Sequence, residues 1–203
     1  MEVVKKSKNK LNEKAMEKEK YIKNEKPYEV IFSPEANKGP KPLEKIAGHQ
    51  KQKEELIQVV NWFKQYKYWQ NKGVSIPKGI VLYGPPGNGK TLIIKEIINY
   101  SGVPAFIFKG EMTNVKWGIE KTFEDAKKKG QAIIVFDELN LLLANEERVT
   151  KILQDNLDGI KASDGILVIA ATNHIHELPF PLLRNGRFDT IIHVPNPTTD
   201  EAF

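Results

Sequence analysis

Twelve residues, Ile80-Val81-Leu82-Tyr83-Gly84-Pro85-Pro86-Gly87-Asn88-Gly89-Lys90-Thr91, constrain this chain more than any other stretch. An apolar run leads into the spacing G-x-x-x-x-G-K-[ST], and an apolar-periodic segment follows. The order is strand, glycine-rich loop, helix start, which is the setting that gives this P-loop motif its meaning. Glycines are needed because the loop must curl its backbone N–H groups inward around a polyphosphate, where a Cβ would obstruct the curvature. The helix expected from Lys90 to about Tyr100 aims its positive end at the same phosphates. Lys90 is expected to reach the β- and γ-phosphates, and the Thr91 hydroxyl to ligate Mg²⁺. The competing reading, a glycine-rich turn without a ligand, leaves the strand, the helix and the full spacing unexplained.

With 203 residues and 23.1 kDa, the chain suffices for one domain with a sizeable core plus a tail. No apolar run approaches the roughly eighteen residues of a membrane span, and no signal-peptide core follows Val3-Val4. The absence of cysteine excludes disulfides and thiolate metal sites, and a cytoplasmic setting is expected. The net charge of +5 invites a nucleic-acid reading. Residues 1–26, however, hold nine lysines against five glutamates, so nearly all of that charge belongs to the tail. The remainder offers no electrostatic footprint for DNA, and a nucleic-acid partner is not expected.

The expected organisation is a charged tail over 1–26, a proline- and glycine-punctuated linker over 27–45, and a core domain over 46–203. Within the linker, Tyr28-Glu29-Val30-Ile31-Phe32 has the character of a short docking strand. Apolar residues at Leu56, Val59, Val60, Phe63 and Tyr66 predict an amphipathic helix from Gln50 to about Asn71. Short apolar runs then recur at Ile80–Tyr83, Ala105–Phe108, Ala132–Phe136, Ile166–Ala171 and Thr190–Val194, with helical stretches between them. Strand and helix in alternation, with continuously apolar strands, predict an α/β fold: a five-stranded, mostly parallel sheet flanked by helices. Ligands in such sheets sit at the carboxyl ends of the strands.

Two further motifs fall at strand ends. Ile133-Ile134-Val135-Phe136-Asp137-Glu138 is an apolar strand closing on two carboxylates; Asp137 is placed to hold the Mg²⁺ shell and Glu138 to orient and deprotonate an attacking water. Alone, it also reads as a strand terminated by solvated acids. Ala170-Ala171-Thr172-Asn173 can bring the Asn173 amide beside the γ-phosphate or the water, although an asparagine after a strand is commonly a turn residue. His174 and His176 have no further histidine or cysteine nearby and read as surface loop rather than as a metal site.

From about Leu43 to Pro197 these residues resemble the AAA family of the AAA+ ATPases, in the branch of the FtsH-type proteases, the protein-unfolding ATPases and the proteasomal ATPases. Ile46-Ala47-Gly48 resembles the adenine-side segment, Gly84–Thr91 the Walker A, Phe136-Asp137-Glu138 the Walker B, and Asn173 sensor 1. The run from Ala171 to Asp189 matches the family's second region of homology without a gap, so that Arg184 and Arg187 fall on its arginine-finger positions. The resemblance implies ATP and Mg²⁺ as cofactors, with nucleotide contacts from Ile46, Gly48, Pro86, Gly87, Asn88, Gly89, Lys90, Thr91 and Leu92. Thr91 and Asp137 would hold the metal, and Glu138, Asn173, Arg184 and Arg187 would serve hydrolysis. A substrate pore loop is implied at Trp117 and Gly118, ahead of a helix over Glu120–Lys129, while packing at that helix start is the plainer role for the indole. The family's usual assembly, a hexameric ring that remodels or unfolds protein substrates, is the implied partner set.

The sequence departs from the family at Asn88, where Thr, Cys or Ser is more usual, at His49-Gln50, and at Pro179, where Asp is usual. No H-E-x-x-H occurs in these residues, and Thr198-Thr199-Asp200-Glu201 reads as a capping box that opens a helix. The family's helical lid begins there, so a form lacking the lid is expected. Two other function classes stay open at this level: a nucleotide-dependent assembly scaffold with little turnover, and a DNA-associated loader-type ATPase.

Overall fold

The computed structural model describes residues 26–31, 43, 46, 48–110, 114–144 and 147–196. The tail up to residue 25, most of the linker after Ile31, and the capping box at Thr198–Glu201 lie outside the described residues. Among the described residues six strands form one sheet: β1 (Tyr28–Ile31), β2 (Gly79–Tyr83), β3 (Ala105–Phe108), β4 (Ala132–Phe136), β5 (Ile166–Thr172) and β6 (Thr190–His193). Their order is β1-β3-β4-β5-β2-β6. The last five are parallel throughout, which is the sheet the apolar runs predict. The difference is the sixth strand. The docking segment pairs antiparallel to β3, Tyr28 opposite Phe108 and Ile31 opposite Ala105, and covers what would otherwise be an open edge. The Tyr28 hydroxyl donates to Asp125 at 2.6 Å and anchors the added strand.

Six α-helices flank the sheet among the described residues: α1 (Gln50–Lys64), α2 (Tyr66–Asn71), α3 (Lys90–Ser101), α4 (Val115–Lys128), α5 (Leu139–Leu143) and α6 (Glu147–Asp158). Residues along each central strand alternate between two cores. In β4, Ile134 and Phe136 join Ile119 and Phe123 of α4 and Leu153 and Leu157 of α6 on one face. On the other face Ile133 and Val135 join Leu56 and Phe63 of α1 and Ile93 and Ile97 of α3. All five residues of β4 and all seven of β5 are buried, which explains why their sequences are continuously apolar rather than alternating. Each such Val, Leu or Ile contributes roughly 1.5–3 kcal/mol relative to exposure.

Two expectations are corrected. The helix expected over Gln50 to Asn71 breaks at Gln65, whose φ of −104° and ψ of 24° leave the helical region. The break re-phases the chain so that Tyr66 packs against Gly165, where a side chain would collide with the ring and with the Gly130 carbonyl. Trp117 and Gly118, expected on a loop, lie instead in the first turn of α4. Asn114 caps that helix by accepting the Trp117 N–H at 3.0 Å, and Gly118 is buried.

After β2 the chain crosses over β5 and β4 to reach β3, whereas β6 adds on the other side of β2. This change of direction opens a crevice at the carboxyl ends of β2, β4 and β5. Its floor depends on Gly84. That residue sits at φ +154°, its N–H donates to the Thr172 carbonyl at 3.3 Å, and a Cβ there would overlap the Val194 carbonyl. Gly84→Ala is therefore expected to destabilise the fold by about 2 kcal/mol or more, measured as a lowered urea midpoint with an unchanged slope.

Candidate functional site

The crevice is a cavity of about 450 Å³ lined by the loop after β2, the start of α3, and the ends of β4 and β5. Gly87 and Gly89 adopt φ of +80° and +87°, which L side chains rarely do, and so allow the loop to curl into the N-terminus of α3. Of the residues expected to serve a ligand, Pro86, Gly87, Gly89, Lys90, Thr91, Leu92, Asp137, Glu138 and Asn173 all line this one cavity. They come from three chain segments separated by as many as 87 positions and meet only because β5 stands between β4 and β2 in the sheet.

Lys90 is nearly buried, and its ammonium donates to the carbonyls of Gly84 and Pro85, both at 2.8 Å, and to Asn88 Oδ1 at 3.1 Å. Burial pushes its pKa down, against the opposing pull of Asp137 and Glu138. The Thr91 hydroxyl donates to Asp137 Oδ2 at 3.0 Å. A neutral hydroxyl and a carboxylate oxygen on adjacent elements form a hard donor pair of the sort Mg²⁺ takes when phosphate and water complete its shell. The residues present thus fit a nucleotide-bound Mg²⁺. Glu138 follows directly, in the left-handed region at φ 56° and ψ 48°. That conformation costs a non-glycine residue on the order of 1–3 kcal/mol and clusters at functional positions. It turns the chain from β4 into α5 while keeping Glu138 on the cavity wall.

A hydrogen-bond chain that the sequence reading missed fixes the β5 side. Thr172 Oγ1 accepts the His174 N–H at 3.1 Å and donates to Asn140 Oδ1 at 3.1 Å, while Asn140 Nδ2 donates to Glu177 at 3.0 Å. Asn140 stands two residues after Glu138, so the segments carrying Asn173 and Glu138 are held to each other. Lys95 also lines the cavity. Its spacing of four from Thr91 puts both on one helix face, a signal available in the sequence.

The other expected residues fall elsewhere. Asn88 is buried behind the loop, where its amide donates to the carbonyls of Val194 and Pro195 and so ties the loop to the end of β6. Ile46 is buried with Leu43 and Leu56 under α1, and Gly48 adopts φ 67° just before it. Neither lines the cavity. Arg184 and Arg187 lie on the turn between β5 and β6, also away from the cavity of their own chain. Arg187 forks onto Asp158 of α6, with Nε and Nη2 each 2.8 Å from a carboxylate oxygen, and Nη1 donates to the Pro181 carbonyl at 2.5 Å. Those hydrogen bonds hold the Asp158 carboxyl below its ordinary range. The pair's contribution is thus present above pH about 4 and lost as acid protonates Asp158.

The family described as "ATPase family associated with various cellular activities (AAA)" matches residues 80–196. The ATP-dependent zinc metalloprotease FtsH of Ureaplasma parvum serovar 3 is 41% identical over 166 residues, covering 75% of this chain and 23% of that protein. FtsH of Caulobacter vibrioides is 39% identical over 178 residues, with 79% and 28% covered, and FtsH of Metamycoplasma arthritidis 40% over 179, with 79% and 24%. The chain spans about a quarter of the length of these relatives.

Removal of the Asn140 amide breaks its bond to the exposed Glu177 carboxylate and leaves the buried Thr172 hydroxyl only the His174 carbonyl, at 3.3 Å, to donate to. Asn140→Ala is expected to cost about 1–3 kcal/mol, read by chemical denaturation. A loss below a few tenths would mean that the chain from Thr172 to Glu177 holds nothing.

Proposed function

The chain belongs to the AAA family of ATPases, and from that premise we propose that it binds Mg-ATP in the cavity at the ends of β2, β4 and β5, hydrolyses it, and uses the cycle in a hexameric ring to remodel or unfold protein substrates. The observation that carries this reading is the hydrogen bond between Thr91 and Asp137 within a cavity that Lys90, Glu138 and Asn173 also line. Backbone N–H groups of Gly87, Gly89 and the first turn of α3 receive the phosphates, and Lys90 exchanges its loop carbonyls for β/γ oxygens. Thr91 and Asp137 would hold Mg²⁺, which when bound would supply positive charge against that developing on the transferred phosphoryl group. Glu138 orients and deprotonates the attacking water, and Asn173 hydrogen-bonds that water or the γ-phosphate. Ile46 and Gly48 stand on the adenine side.

Arg184 and Arg187 act on the nucleotide of the neighbouring subunit. Their distance from their own cavity supports this, as does a guanidinium's fit to phosphate oxygens in a chain that otherwise uses lysine at all but one position. A ring closed by head-to-tail contacts presents one subunit's turn to the next one's loop. Of the pair assigned to substrate contact, Gly118 is buried and only the half-buried Trp117 offers a surface.

Glu138→Gln is expected to keep Mg-ATP bound while turnover falls on the order of 10²-fold or more, as seen by titration calorimetry and phosphate release; loss of binding would mean that the two carboxylates have exchanged roles. Mixing Arg184→Ala subunits, with intact loops, and Lys90→Ala subunits, with intact arginines, should restore turnover that neither has alone. Arginines supplied in trans are worth about 10³–10⁵ in rate in related phosphoryl transfer. Inactive mixtures of co-assembled subunits would remove the trans assignment. Turnover stimulated by single-stranded DNA would favour the loader-type reading, and ATP binding with assembly but no turnover the scaffold.

A further inference from the structure

The turn between β5 and β6 carries two arginines in unlike surroundings. Arg187 is committed within its own chain: every nitrogen of its guanidinium donates to Asp158 or to the Pro181 carbonyl. Its role there is to brace the turn, together with Asp189, which accepts the N–H groups of Gly186 and Lys78, and with Phe188, buried beneath. Arg184 makes no such bonds. It is exposed, and its guanidinium carbon lies 5.3 Å from the centroid of the Phe180 ring, within cation–π range. Phe180 is itself 70% exposed, the largest exposure among the large hydrophobic side chains described.

A phenylalanine this exposed has little packing role in its own chain. It opens a 3₁₀ turn over Phe180–Leu182, whose third residue, Leu182, is fully buried and fixes the backbone that carries the ring. The ring thus stands on a fixed backbone and has only two torsions of its own, whereas the arginine above it is long and has four rotatable torsions. A guanidinium resting on a π face keeps its in-plane N–H donors free for a planar oxyanion while losing much of its rotational freedom beforehand.

We propose that Phe180 is a positioning residue: its ring holds the Arg184 guanidinium in the orientation in which it meets the phosphates bound by a second copy of this chain, on a turn that the bonds of Arg187 to Asp158 and Pro181 brace. The proposal rests on the trans reading of the arginines given above.

The test uses the full 203-residue chain. Turnover is measured across protein concentration, with the assembled fraction followed by sedimentation velocity in Mg-ATP. Phe180→Leu keeps an apolar side chain of similar size and removes the π face, whereas Phe180→Trp keeps that face. The expected result is a two- to five-fold lower kcat per assembled subunit for Phe180→Leu, about what an exposed cation–π contact can hold in place. The KM for ATP and the assembled fraction stay unchanged, and Phe180→Trp restores the rate. Phe180→Leu at the wild-type rate while Arg184→Ala is inactive would overturn the positioning role, as would equal losses in Phe180→Leu and Phe180→Trp, or a loss fully explained by weaker assembly. Wild-type turnover by assembled Arg184→Ala would instead remove the trans reading itself, and this inference with it; that outcome is read on a different variant and is distinguishable.

Discussion

The insertion of β2 between β5 and β6 is the arrangement on which the rest of this structure depends. With parallel neighbours on both sides, β2 delivers its loop to a place where three backbones converge. Gly84 donates to the Thr172 carbonyl of β5, Val194 donates to the Tyr83 carbonyl at 2.8 Å, and the Asn88 amide closes the loop onto Val194 and Pro195. Anchored at both ends, the loop presents its N–H groups with little freedom left to lose when a ligand arrives. The same insertion brings β5 and then β4 alongside, so that Asn173, Asp137 and Glu138 reach the cavity from strand ends rather than from mobile loops. Fully buried apolar strands make this frame stiff, and the polar groups at its rim inherit that stiffness.

Electrostatics within the cavity are balanced before any ligand is considered. Lys90 loses solvation on burial and regains it from two carbonyls and one amide oxygen, with Asp137 and Glu138 near enough to favour its charged form. Two carboxylates facing one hydroxyl and one ammonium form a site suited to a divalent cation carried by a polyphosphate. Thr91 and Asp137 already stand at hydrogen-bond distance, and both offer the hard oxygen donors that a Mg²⁺ ion would take. Glu138, in its left-handed conformation, has its backbone fixed by the helix it opens and by the Asn140 chain behind it.

Much of this was legible in the sequence because the signals were local. The glycine spacing, the apolar runs and the acids after Phe136 each depend on a few neighbouring residues, and the parallel sheet follows from their alternation. The break at Gln65 was not legible, since the helical periodicity continues through it and only the contact of Tyr66 with Gly165 explains it. The early start of α4 at Val115 turned on a single cap, Asn114, ahead of a Trp-Gly pair that reads as loop. Asn140, Glu177 and Asp158 escaped notice because their partners are 37, 37 and 29 positions away and polar pairs at that separation leave no periodic trace. The two arginines looked equivalent for the same reason: only tertiary contacts separate the one held by Asp158 from the one resting on Phe180.

The central claim is that the hydroxyl of Thr91 and the carboxylate of Asp137 supply two donors to a cation shell that nucleotide phosphates and water complete. Binding of Mn²⁺, as a paramagnetic substitute for Mg²⁺, tests this directly when free and bound ion are counted by electron paramagnetic resonance in the presence and absence of ATP. The account predicts one tightly held Mn²⁺ per chain with ATP present and essentially none without it. Tight Mn²⁺ binding without nucleotide, or no binding beyond that of ATP alone when nucleotide is present, would contradict it.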